Sequence, residues 1–445
     1  MKTHPLAGQR WAMPLVIAVI VAGYALSIRI FYPGVMTYDA WYVHADIATG
    51  FRGDWQSPVM TVLWAAIDPI APGAASMFLL IATLYWLGFA ILALSIVRRS
   101  GGAALAMAVA AFTPPAFVFV GVIWRDMLFA TVWLLAAGLV FSAAERCDKW
   151  RRVAQVVAGA LLALGLLLRP NALLAAPMLA VYLIWPTRFD LRRAALFFVP
   201  AVFVFYALIP TVYYGVLGAR HQNVLHSILV FDLGGITHFT RQNQFPVTWT
   251  AEQDHLLTES CYEPAAWDYY WTIPPCSFVM ARLEGEKIFG SPALVDAWWR
   301  AVVAHPIAYV QHRFTVMGQF LFGVNQTIWT VDIAHPDHVV FADNAWFVAV
   351  KNVNDVLKPT PLFRAITWLL VCVASCVLAW RRRDTPVGAF VIGVAGSACV
   401  YVMTFFPLGV ASDFRYAYWA VLAGLTSAIL LALRPAGHAV AELRH

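Results

Sequence analysis

The chain has 445 residues, 61% of them hydrophobic and only 12% charged, with 30 Lys and Arg against 24 Asp and Glu for a formal net charge of +6. Soluble domains carry about a quarter charged residues, so an ordinary globular enzyme is excluded. The positive excess sits in short loops between apolar runs, which makes it a matter of topology rather than of nucleic-acid binding.

Apolar runs able to cross about 30 Å of hydrocarbon lie near 12–32, 75–97, 103–123, 127–144, 153–168, 171–186, 194–215, 361–380, 386–408 and 416–434. The first follows a basic stretch but precedes no small-residue cleavage site, so it reads as a retained anchor. Arg169-Pro170-Asn171 reads as a tight turn between the short fifth and sixth runs. The expected fold is an all-α polytopic membrane protein of about ten transmembrane helices, with interfacial helices in the first external loop and one large external loop.

Basic clusters occupy every second loop: Arg98-Arg99, Arg146 with Lys149, Arg151 and Arg152, Arg188 with Arg192 and Arg193, and Arg381-Arg382-Arg383. The positive-inside rule then places both termini in the cytoplasm. Three regions follow: a transmembrane core over 1–215 containing the first external loop 33–74, a large external loop over 216–360, and C-terminal transmembrane helices with a tail over 361–445. Cys261 and Cys276 share the large loop with no other cysteine, so a disulfide is expected there. Cys372, Cys376 and Cys399 lie inside apolar runs and read as packing residues.

This topology sends the remaining charges outward. Asp39 follows the first apolar run within a few residues of the hydrocarbon edge, where a carboxylate is costly and is retained for a function. Asp39, Tyr42, Val43 and Asp46 fall on one face of a helix ending near Gly50 and Gly53, and a second amphipathic stretch runs from Val59 to Ile70. Asp46 and Asp54 read as solvated interfacial carboxylates. Trp124-Arg125-Asp126, Arg169 with Asn171, and Asp413 with Arg415 mark other external helix mouths. Arginine suits a phosphate because its planar fork gives bidentate bonds and keeps its proton. Tyr38, Trp41, Tyr42 and Trp124 suit either sugar faces or an aromatic belt. Trp298 to Arg313 reads as a membrane-surface helix, with His305 and His312 structural. His221, His226 and His238 are spaced too loosely for a typical zinc site. Asp39 and Asp126 are instead candidates to share a hard divalent cation, and the sequence leaves metal use open.

The ordered set of Pro33-Gly34, Tyr38-Asp39, Gln56-Ser57-Pro58, Trp124-Arg125-Asp126 and Arg169-Pro170-Asn171 resembles the GT-C superfamily of polyprenyl-phosphate-sugar glycosyltransferases. That superfamily includes the protein O-mannosyltransferases and the lipid A aminoarabinose transferases. The resemblance covers about 1–215 and continues more weakly through Asp413-Phe414-Arg415-Tyr416. It implies a catalytic carboxylate at Asp39, assisted by Asp126, with Tyr38, Gln56, Arg125, Arg169, Asn171, Asp413 and Arg415 binding substrate. It also implies a polyprenyl-phosphate-linked sugar donor, an acceptor that is a glycan, lipid or protein, and an active site at the outer face of a bacterial inner membrane. Gln56 stands where many members have the histidine of His-Pro-Pro, and Ala40 follows Asp39 where several have a second acid.

Two other readings fit the composition. A transporter or flippase requires charges near the bilayer midplane and paired broken helices. A polysaccharide polymerase or ligase would use arginines and a histidine of the large loop, with no need of Asp39.

Overall fold

The computed structural model describes residues 11–324 and 344–433. Over these residues the chain is helical, and its extended pairing is limited to three isolated β-bridges. Eight described helices are long and apolar enough to cross a membrane: Ala12–Phe31, Ala74–Ile96, Arg125–Ala143, Asp148–Leu168, Leu191–Val216, Ala365–Arg382, Pro386–Leu408 and Phe414–Leu431. Together with the composition they make this a multi-pass membrane protein.

Two of the ten expected spans are not single long helices. The run at 103–123 is the helix Gly101–Ala110 followed by the short turn Pro114–Phe117. Pro114 and Pro115 donate no backbone hydrogen bond, and a proline disfavours helical geometry in the residue before it, so the helix stops short of them. The run at 171–186 is a 3-10 turn, Pro170–Leu174, and then the helix Ala176–Ile184.

Arg125–Ala143 is the central helix and is buried along nearly its whole length. It packs on Ala74–Ile96 and Asp148–Leu168. Small residues permit this close approach, as is usual between helices in lipid. At Gly165 a Cβ would lie 2.1 Å from the indole nitrogen of Trp133, so no larger residue fits.

A second hydrophobic cluster gathers residues between Val230 and Val316. Its main helices are His226–Thr240, Pro292–Ala304 and Pro306–Phe322. The single surface helix expected from Trp298 to Arg313 is therefore two helices, broken at His305 by the following proline. Inside this cluster Asp232, His312 and Arg313 are all fully buried. Arg313 pairs with Asp232 at 2.6 Å, and Trp298 Nε1 donates to the same carboxylate at 2.8 Å. His312 lies 3.2 Å from Asp232 on one side and 2.9 Å from the Tyr262 hydroxyl on the other. Burial pushes the His312 imidazolium towards deprotonation, and Asp232 only partly offsets that. The expected structural role of this histidine holds. The Cys261–Cys276 disulfide expected from the sequence is formed.

Candidate active site

Three β-bridges carry distant segments to one end of the helix bundle. After Ala12–Phe31 the chain turns at Gly34, whose φ of 114° and Cβ clearance of 2.7 Å to Phe78 suit glycine alone. Val35 then pairs with Val122: its N–H donates to the Gly121 carbonyl at 2.8 Å, and its carbonyl accepts from Ile123 at 3.1 Å. This sets the start of the helix Tyr38–Thr49 beside the start of Arg125–Ala143, which brings Asp39 next to Trp124-Arg125-Asp126. A second bridge joins Gly53 to Arg220, and a third joins Ala266 to Ala411, just before Asp413 and Arg415.

Asp39 is held on both oxygens. Arg415 Nη1 donates to its Oδ2 at 2.6 Å, and Gln56 Nε2 donates to its Oδ1 at 3.0 Å. Its side chain remains 34% exposed, so it can be reached from outside. Partial burial alone would raise its proton affinity, but Arg415, Arg125 and Arg169 outweigh this and lower the pKa below the usual carboxylate value. Asp39 is thus ionised at neutral pH.

Asp126 and Arg169 form a buried ion pair, with side chains 5% and 8% exposed. The Arg169 guanidinium also lies 5.0 Å from the Tyr416 ring centre. Asn171 and Arg169 both neighbour the Tyr401 hydroxyl. Arg415 sits 4.5 Å over the Trp124 indole and 5.0 Å over Tyr416, whose hydroxyl accepts from its Nη2 at 3.1 Å. Asp413 accepts the Arg415 backbone N–H at 2.9 Å, capping the turn that aims Arg415. Arg125 donates to the Trp55 carbonyl at 3.1 Å and is the one arginine of the three with no carboxylate partner among the described residues.

Asp39, Gln56, Met60, Trp124, Arg125 and Asp126 line one narrow cleft with about 10 Å³ of free volume. That space admits a water molecule and nothing larger, so a sugar enters only when the walls part. A larger open hollow of about 550 Å³ runs along Phe239, Ile307, Val310 and Phe314, but its lining includes no charged group.

Of the residues singled out from sequence, the structure gathers Asp39, Gln56, Arg125, Asp126, Arg169 and Arg415, with Asn171 and Asp413 behind them. Tyr38 points away: it is 55% exposed, and its hydroxyl donates to Tyr42 at 3.1 Å. Trp124 is buried under Arg415, and its Nε1 donates to Thr37 at 2.6 Å, so it offers no open face to a sugar. Asp54 is not the solvated carboxylate expected. It accepts from the Tyr214 hydroxyl at 2.8 Å and from the Gln222 N–H at 2.7 Å, closing the base of the first loop.

A divalent cation does not fit the cleft as built. Both Asp39 oxygens already have donors, Asp126 is neutralised by Arg169, and three guanidinium groups stand where a cation would be repelled. Among the described residues no three His, Cys, Asp or Glu side chains converge as metal ligands. His221, His226 and His238 make separate contacts with Tyr214, Gly290 and Tyr262.

No family model and no curated protein matches the chain. Among solved structures, it is similar over 95% of its length to the archaeal oligosaccharyltransferase AglB from Archaeoglobus fulgidus in complex with an inhibitory peptide and a dolichol-phosphate, at 13% identity and a TM-score of 0.37. It covers 50% of that chain, so it spans about half the length of the oligosaccharyltransferase. It is also similar to ArnT from Cupriavidus metallidurans bound to undecaprenyl phosphate, at 16% identity and a TM-score of 0.33, over 94% of this chain and 76% of that one. At such scores the likeness says nothing of the chemistry of the site.

Proposed function

We propose that this protein is an integral membrane glycosyltransferase that moves a sugar from a polyprenyl-phosphate donor to an acceptor hydroxyl at the outer face of a bacterial inner membrane. The observation that supports it is the convergence of an ionised, accessible Asp39 with Arg125 and Arg415 in one cleft at the mouths of apolar helices. In this reading Asp39 is the general base. The acceptor proton passes to its carboxylate as the acceptor oxygen bonds to the anomeric carbon. The bond from that carbon to the phosphate oxygen breaks, and its electron pair leaves on the lipid phosphate. Arg125, free of a carboxylate partner, takes the growing phosphate charge, with Arg415 beside it. Asp126 fixes Arg169, and the single displacement inverts the anomeric configuration.

A polymerase or ligase reading, which would use arginines and a histidine of the large loop, makes no use of Asp39. The test is lipid extraction from cells lacking the protein. A polyprenyl-phosphate sugar should accumulate and disappear again on complementation by the wild type but not by Asp39→Asn. An unchanged lipid-linked sugar pool contradicts the proposal.

A further inference from the structure

The segment between Cys261 and Cys276 carries Trp267, Asp268 and Trp271, which belong to no motif. The disulfide closes this loop, and the third β-bridge fastens it to the approach to Arg415. Trp267 N–H donates to the Val410 carbonyl at 2.8 Å, Ser412 N–H donates to the Ala265 carbonyl at 2.8 Å, and Ser412 Oγ donates to the same carbonyl at 3.0 Å. On its other side the loop packs against the residue preceding Gln56. The rings of Trp55 and Trp271 are 5.1 Å apart, those of Trp55 and Trp267 5.6 Å, and those of Trp267 and Trp271 5.3 Å. Trp55 is in turn the carbonyl partner of Arg125. The loop therefore flanks the cleft, tied to the backbone just before Arg415 and packed on the residue whose carbonyl holds Arg125.

Asp268 lies in the short turn Trp267–Tyr270 of this loop. Among the described residues its carboxylate has no ion pair or side-chain hydrogen bond, yet it lies close enough to Asp39 and Arg415 to feel both charges. Burial and the nearby Asp39 raise its pKa, offset in part by its own backbone and by Arg415.

Half-buried indoles beside a carboxylate match the surface of a sugar ring, which has an apolar face of C–H bonds and an edge of paired hydroxyls. A phosphorylated acceptor would be repelled by a second negative charge next to Asp39, and a peptide serine or threonine offers one hydroxyl where the carboxylate can accept two. We propose that Trp55, Trp271 and Asp268 form an acceptor subsite for the neutral end of a glycan, presenting one of its hydroxyls to Asp39. This rests on the transferase reading above and narrows it to a glycan acceptor.

The test is binding, which needs no turnover. The full chain in lipid nanodiscs is titrated with maltose, cellobiose, mannobiose and arabinobiose, and with a serine- and threonine-containing peptide, by calorimetry and tryptophan fluorescence. At least one disaccharide should bind the wild type. Asp268→Asn and Trp271→Ala should each weaken that binding about tenfold, the scale of one charge-assisted hydrogen bond, at unchanged thermal stability, and Asp268→Glu should restore part of it. Failure of every disaccharide to bind, equal binding by Asp268→Asn, or displacement of the sugar by the peptide overturns the subsite. The two proposals fail separately: transfer that survives Asp39→Asn removes the transferase reading, whereas unchanged sugar binding in Asp268→Asn removes the subsite alone.

Discussion

Asp39→Asn should abolish sugar transfer, by about 10²- to 10⁴-fold per folded molecule, the range that a positioned general base contributes. The substitution keeps the size of the side chain and one acceptor oxygen, while the negative charge that receives the acceptor proton is gone. A third of the side chain is open to solvent, so little stability depends on it. Expression, gel-filtration profile and unfolding temperature should therefore match the wild type. The measurement is the initial rate of transfer from the accumulated lipid-linked sugar, with purified protein in proteoliposomes. A rate within about twofold of wild type would remove Asp39 from the chemistry.

Asp126→Asn should act on the fold first. Asp126 and Arg169 are buried together between the central helix and the turn after Asp148–Leu168, so removing one charge leaves the other uncompensated in a low-dielectric setting. Losses of about 3–5 kcal/mol are usual for such a change, whereas replacing both partners by apolar residues of similar volume is often neutral. The expected result is a clear drop in unfolding temperature for Asp126→Asn and for Arg169→Ala, with recovery in the double variant Asp126→Leu and Arg169→Met. The recovered protein should still transfer poorly, because Arg169 also holds Tyr416, the partner of Arg415. Equal stability of Asp126→Asn and wild type would show that the pair is not closed off from water.

Much of this molecule is legible from composition and from the cost of charge in lipid. Hydropathy locates the spans, and the Pro114-Pro115 step that shortens one of them is visible in the sequence, although a run of apolar residues hides where the helix actually stops. Asp39, Arg125, Arg169 and Arg415 stand out because each sits at a helix mouth. Their pairing does not: which arginine meets which carboxylate is set by single bridges such as Val35 with Val122, and one extended residue leaves no periodicity to read. Asp54 looked solvated because its partners, Tyr214 and Gln222, come from a segment about 160 residues later. Tyr38 sits next to Asp39 in sequence yet turns outward, since neighbours on a helix face different directions. Asp268 lies in a loop with no motif. The signal lies in the two cysteines, which enclose two tryptophans and two acids in a loop too short to lie far from its own base.

The central claim is that these charges form the seat of a lipid phosphate. It is tested most directly by an experimental structure of the full chain with bound polyprenyl phosphate. The account predicts phosphate oxygens within about 3 Å of the Arg125 and Arg415 guanidinium groups, the cleft opened around them, and Asp39 on the far side of the space where the sugar would sit. A phosphate bound elsewhere, with Arg125 still on the Trp55 carbonyl and the cleft closed, would contradict it.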